Sequence, residues 1–177
     1  GYLPETLINY LALLGWTPAD GSELLTRDQL VNAFTLDRCG ASPSRFDLKK
    51  VQWLNGQHIR MLTVEDLRDR VLPRLREAGF DVDAKPIEWL TRMTAICQEK
   101  IKTLNEIVMY TDFFFVEPTE YEAKAVLKHW GQPHTLETMQ EIRGLIATAD
   151  PWGRDALHNA YESAAANHGA AIGHYIH

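Results

Sequence analysis

The residues best suited to chemistry lie in one run, Phe46-Asp47-Leu48-Lys49-Lys50-Val51-Gln52-Trp53-Leu54-Asn55-Gly56-Gln57-His58-Ile59-Arg60. Wound as a helix, it puts Lys49, Trp53 and Arg60 on one face, with Lys50 beside them, opposite a core side of Val51, Leu54, His58 and Met61. Cations flanking an aromatic ring suit a phosphate–sugar backbone, the charges meeting phosphates and the ring meeting ribose or base. The competing reading is that Trp53 packs beneath a neighbouring subdomain. A second candidate is Lys100. A helix from Pro86 to about Leu104 would carry Trp89, Met93, Ile96, Cys97 and Leu104 as an apolar arc, with Lys100 inside that arc and Lys102 close by. A lysine there either snorkels out at the helix end or meets a ligand.

Other chemistry finds little support. The seven histidines include His174-x-x-His177, but no cysteine pair or adjacent carboxylate completes a metal site, and Cys39 and Cys97 stand alone. There is no glycine-rich phosphate loop and no Gly-x-Ser-x-Gly elbow, so neither a catalytic residue nor a metal ligand is assigned.

The elements that must position these residues read as all-α. Pro4 opens a helix in which Leu7, Leu11 and Leu14 repeat as the expected buried face, and Gly15 closes it. Thr26-Arg27-Asp28-Gln29 has capping-box spacing, and the helix it opens ends near Phe34. Gly40 to Ser44 is a loop. Asp47 caps the helix through Met61, and Thr63 caps the next, with Leu67, Val71 and Leu75 as its stripe, Pro73 as an expected kink and Gly79 as its end. Phe113-Phe114-Phe115-Val116 is expected to be extended. A second capping box at Thr119–Glu122 predicts a helix over 120–129, with others over 135–148 and 151–168. Gly169 to Gly173 is expected to start one more helix that the chain leaves truncated.

Net charge is −6, unfavourable for a polyanion binder, but it is unevenly spread. Residues 38–76 hold nine basic against four acidic side chains, and residues 117–167 hold eight acidic against four basic. The first half can therefore face a polyanion, unless these are ordinary solvated helix faces. No apolar run approaches the ~20 residues of a membrane span and no basic-apolar leader opens the sequence, so a cytoplasmic location is expected.

Four ordered segments carry a resemblance to a known family. Phe-Asp-x-x-Lys-x-x-Trp-Leu-Asn followed by Ile-Arg, the opening Gly-Tyr-Leu-Pro-Glu-Thr-Leu-Ile-Asn-Tyr-Leu-Ala-Leu-Leu-Gly-Trp, Leu30-Val31-Asn32-Ala33-Phe34 and Arg74-Leu75-Arg76-Glu77-Ala78-Gly79 resemble bacterial-type glutamyl-tRNA synthetases downstream of their catalytic core. The resemblance implies the multi-helix, anticodon-binding architecture of a class I aminoacyl-tRNA synthetase: a stem-contact region over 1–62, and helical anticodon-binding subdomains over 63–112 and 113–177. It implies a parent ligase that charges tRNA(Glu) with glutamate using ATP and magnesium, with no cofactor held by this part. It implies RNA contacts by Lys49, Lys50, Trp53, Arg60, Lys100 and Lys102, and a monomer that binds neither DNA nor membrane. Lys100 aligns with a basic residue, usually arginine, that contacts the third anticodon base. Lysine keeps a charged donor there but lacks the planar fork. The alternative is a helical protein-interaction adaptor anchored by Trp53, Trp130 and Phe113–Phe115.

Overall fold

The computed structural model describes residues 1–40 and 45–174. Their regular structure is helical, without a named strand among the described residues, and they form two compact units, Gly1–Glu117 and the part from Pro118 onward.

In the first unit, α1 (Pro4–Gly15) packs along α3 (Leu48–Met61), with Tyr10, Val51 and Leu54 between them. The face of α1 that turns inward is not the leucine stripe. Leu7 is 40% and Leu11 60% exposed, whereas Leu3, Thr6, Asn9 and Tyr10 are buried. Hydrogen bonds decide the orientation: Asn9 Oδ1 accepts from the Leu25 N–H at 3.0 Å and from His58 Nε2 at 3.0 Å, and the Tyr10 hydroxyl accepts from the Asp47 N–H at 2.6 Å. Turning these groups to water would strand the partners they satisfy.

Between α1 and α3 the chain makes an excursion that carries α2 (Arg27–Ala33). Its Thr26–Gln29 capping box forms in full. The excursion is closed at its neck, where the Gly40 N–H donates to the Gly15 carbonyl at 2.7 Å and Trp16 bridges Cys39. Trp16, Leu25 and Leu30 form a small core inside it.

The main core lies between α4 (Val64–Glu77), α5 (Ile87–Gln98) and α6 (Ile107–Phe115). Leu67, Val71 and Leu75 line α4 as its spacing predicts, and α4 runs on through Pro73. Leu3 and Ile59, from the other side of residue 62, belong to the same core. Gly79 takes the left-handed φ of +87° that ends α4, a conformation a side chain would strain.

Two expectations fail here. α5 stops at Gln98, not Leu104, because Ile101 and Leu104 reach the core from a turn instead. Phe113–Phe115 is helical, since Phe114 and Phe115 must lie against Trp89 and Phe80.

In the second unit, α7 (Ala123–Ala125) passes into a wide π turn over Val126–Trp130, and the Thr119–Glu122 capping box does not form. α8 (Thr135–Ala147) and α9 (Arg154–Asn167) pack on each other, with Ile142, Ala160, Ala164 and Ala165 buried. Glu141 clasps the end of α9, accepting from Asn167 Nδ2 at 2.7 Å and lying 3.0 Å from His168 Nε2. The helix expected from Gly169 is a single 3-10 turn over Ile172–His174, and His177 lies outside the described residues.

Candidate nucleic-acid interface

Asp47 starts α3 by accepting hydrogen bonds from the Lys49 and Lys50 N–H groups, which sets the phase of the helix. Lys49, Trp53, Gly56 and Arg60 then follow at spacings of four, three and four, on one face about 16 Å long from first to last. Lys49 is exposed, and its ammonium has no hydrogen-bond or ion-pair partner among the described residues. Trp53 is 46% exposed, so it is not covered by the first unit's own packing.

The turn after α5 lies on this face. A Cβ on Gly56 would meet Lys102 Cγ at 3.5 Å and Lys102 Cα at 3.7 Å in ordinary contact, and only the Arg60 guanidinium, with Nη1 at 3.2 Å, would have to shift, so the turn packs directly on the helix at this point. Arg60 holds the turn from one side, donating from Nε to Glu99 Oε2 at 2.7 Å and from Nη2 to the Glu99 carbonyl at 2.6 Å. Asn55, wholly buried, holds it from the other: its Oδ1 accepts from the Leu3 N–H at 2.8 Å and its Nδ2 donates to the Lys102 carbonyl at 2.6 Å. Glu106 accepts from the Lys102 N–H at 2.8 Å, and the Leu104 N–H donates to the Gly1 carbonyl at 2.8 Å.

The two candidates read separately in the sequence therefore meet. Arg60 and Lys102 lie together over Gly56, Lys49 and Trp53 continue the same helix face, and Lys100 belongs to the same turn as Lys102. Lys100 does not sit inside an apolar helical arc, because α5 has ended before it. It is exposed, and Ile96, assigned to that arc, is exposed as well. Burial pushes the Cys97 thiol up, and the Lys100 charge opposes that push. Lys50 stands apart from the group, being paired with Glu23.

Asn55 and Gly56 stand in the run that the sequence singles out, yet helical spacing gives them no role. A polar amide at the buried angle of an amphipathic helix, followed by a residue without a side chain, was the available signal. Asn9 and His58 form a similar buried pair between α1 and α3. The adaptor's anchors fare unevenly: Phe113 and Trp130 are exposed, but Phe114 and Phe115 are half-buried against the core. Among the described residues no group of three or more His, Cys, Asp or Glu side chains is placed to hold a metal ion.

Residues 64–177 match the family described as anticodon binding domain, and residues 1–53 match that of tRNA synthetases class I (E and Q), catalytic domain. The glutamate–tRNA ligase of Moorella thermoacetica is 32% identical over 180 residues, covering 100% of this chain and 37% of the relative. That of Desulforamulus reducens is 40% identical over 149 residues, covering 80% of this chain and 31% of the relative. A crystal structure of a glutamate tRNA ligase from Elizabethkingia meningosepticum, in complex with its amino acid, superposes with a TM-score of 0.88 at 28% identity, covering 98% of this chain and 34% of that one. The chain thus spans about a third of the length of the relatives it matches. With a helical scaffold, a solvent-facing cationic surface and these relatives, the chain belongs to the anticodon-binding-domain family and is a region of the bacterial glutamate–tRNA ligase type.

Proposed function

We propose that this chain binds tRNA(Glu) as the anticodon-reading part of a glutamate–tRNA ligase, carrying with residues 1–53 only a portion of the catalytic-domain family and not the full catalytic domain. The observation that carries the reading is the convergence of Arg60, Lys102 and the Lys100 turn on the helix face that exposes Lys49 and Trp53. Lys49 and Lys102 hold phosphates, Arg60, already paired with Glu99, positions the Lys102 turn and adds less charge, and Trp53 lies against a ribose or an unstacked base. Lys100 meets the anticodon side as a point charge and not a fork. Lys50 adds less, because Glu23 already neutralises it. Residues 1–62 serve the tRNA stem, and 63–112 and 113–177 serve the anticodon. Docking sets the tRNA 3′ end in the parent's catalytic site, where ATP and magnesium supply the activation of glutamate. Membership in this family favours a cytoplasmic, monomeric parent, and no helix among the described residues is long and apolar enough to cross a membrane.

The test is a titration of labelled tRNA(Glu) at two salt concentrations with the wild-type chain, Lys49→Ala and Lys102→Ala. Each substitution should weaken binding and flatten the slope of log affinity against log salt by about 0.7 to 0.9 for every phosphate it leaves unneutralised. No glutamate transfer by the chain alone is expected. Indifference of the wild-type chain to tRNA at low salt would defeat the proposal. The adaptor reading instead requires that both lysine variants behave as wild type.

A further inference from the structure

Four arginines lie along α4, and three of them pair with a carboxylate close by in the chain: Arg68 with Asp69, Arg74 with Glu77 and Arg76 with Asp83. Arg70 instead crosses to another helix. Its Nη1 and Nη2 donate to the two carboxylate oxygens of Glu5 on α1 at 3.3 and 3.1 Å, a two-pronged pair between residues 65 positions apart. The guanidinium holds the Glu5 carboxyl below its ordinary range, against the opposing push of partial burial, so the pair is charged at neutral pH. Glu5 belongs to the segment that matches the catalytic-domain family, and Arg70 to the segment that matches the anticodon binding domain.

This pair sits where α1 is tied to the cationic face. Two residues before Glu5, the buried Leu3 sends its side chain into the core it shares with Leu67 and Val71 of α4, and its N–H to Asn55 Oδ1. Asn55 in turn holds the Lys102 carbonyl at 2.6 Å. One helical turn after Glu5, Asn9 holds both His58 of α3 and the Leu25 N–H.

We propose that Glu5 and Arg70 are positioning residues for RNA binding: the pair fixes the first turn of α1 against α4 and, through Leu3 and Asn55, sets the Lys102 turn. The inference rests on the tRNA-binding reading. Arg70 lies in the basic run 38–76, but as a phosphate contact it would have to give up a partner that meets both of its terminal nitrogens. Lys50 is the contrasting case. Its partner Glu23 is an exposed residue of the excursion, so that pair masks a charge and positions nothing beneath the face.

The experiment titrates labelled tRNA(Glu) with the 177-residue chain and with its Glu5→Gln, Arg70→Met and Glu23→Gln variants and the Glu5→Gln, Arg70→Met double variant. Each Glu→Gln change removes one negative charge, and a phosphate-contact role for Arg70 requires that Glu5→Gln strengthen binding by setting the guanidinium free. The positioning role requires the opposite. Glu5→Gln and Arg70→Met should each weaken binding about two- to five-fold, with the double variant no weaker than either single one. Glu23→Gln should bind at least as tightly as wild type. Hydrogen exchange should quicken at the Leu3 amide in Glu5→Gln and not in Glu23→Gln. Tighter binding by Glu5→Gln, additive losses in the double variant, a matching loss in Glu23→Gln or an unaltered Leu3 amide overturns the proposal. So does a lowered melting temperature with unaltered tRNA affinity, which makes the pair structural only. The Glu5 side chain is 40% exposed and glutamine has its shape, so Glu5→Gln keeps its fold and decides by sign even if Arg70→Met does not fold. If Lys49→Ala weakens binding while Glu5→Gln and Arg70→Met match wild type, the joint falls and the tRNA-binding reading stands. If wild type binds no tRNA at low salt, both fall.

Discussion

Removing the Asn55 amide should cost the chain both stability and the geometry of its cationic face. Asn55→Ala leaves two groups without their partner, the Leu3 N–H and the Lys102 carbonyl, now met at 2.8 and 2.6 Å. Leu3 is 1% exposed, so its N–H finds no water and leaving it unpaired costs about 1–3 kcal/mol. Lys102 is exposed, so water can replace Asn55 at its carbonyl for about 1 kcal/mol or less. With the small void left behind, the sum is about 2–4 kcal/mol. Asn55→Asp should be worse. It keeps an acceptor for Leu3 but sets a carboxylate oxygen against the Lys102 carbonyl in a wholly buried position. Urea unfolding followed by circular dichroism gives the stability, hydrogen exchange at the Leu3 amide localises the change, and a tRNA titration reads the effect on Lys102. A stability change below about 0.5 kcal/mol in Asn55→Ala, with Leu3 protection intact, would refute the assignment of this amide as the anchor.

Two further outcomes follow from neighbouring residues. Burial holds the His58 imidazole below its ordinary value of 6.5, with Glu5 opposing. The unfolded chain therefore takes up a proton that the folded chain refuses, so stability should fall as pH drops through 6.5 and level off once folded His58 itself protonates. His58→Gln should remove that slope in urea midpoints measured across the range. Gly56→Ala should change stability by about 0.5 kcal/mol or less, because the helix gains propensity while the Arg60 guanidinium, the nearest atom at 3.2 Å, gives way. Gly56→Leu has no such escape against the Lys102 backbone, and it should lower both the melting temperature and the affinity for tRNA.

The parts of the fold that were legible in the sequence are those set by local rules. The Thr26 capping box, the Asp47 and Thr63 caps and the Leu67-Val71-Leu75 stripe depend on residues within two turns of each other, and all form. Illegible parts depend on distant partners. Nothing local says that α1 should bury Thr6 and Asn9 and leave Leu7 and Leu11 exposed; that follows from Leu25 and His58, the latter 49 residues away. Phe113–Phe115 reads as extended by the preference of aromatics for strands, and packing against Phe80 and Trp89 overrides it. The cationic face was half visible. Helical spacing gathers Lys49, Trp53 and Arg60, but the link from Asn55 to Lys102 spans 47 residues and no periodicity reports it. Lys100 was singled out by an angle on a helix that ends before reaching it.

The clasp between Gly15 and Gly40 has a consequence for how such a chain can vary. Both ends of the excursion are fixed to each other by the Gly40 to Gly15 hydrogen bond and the Trp16–Cys39 bridge, and α1 meets α3 independently through Tyr10 and Asp47. Residues added or deleted within the solvent-facing Ala19–Gly21 bend would lengthen or shorten a lobe whose base does not move. The scaffold beneath Lys49 and Trp53 is thereby insulated, and this appendage is the natural place for lineages to gain or lose length without retuning the rest.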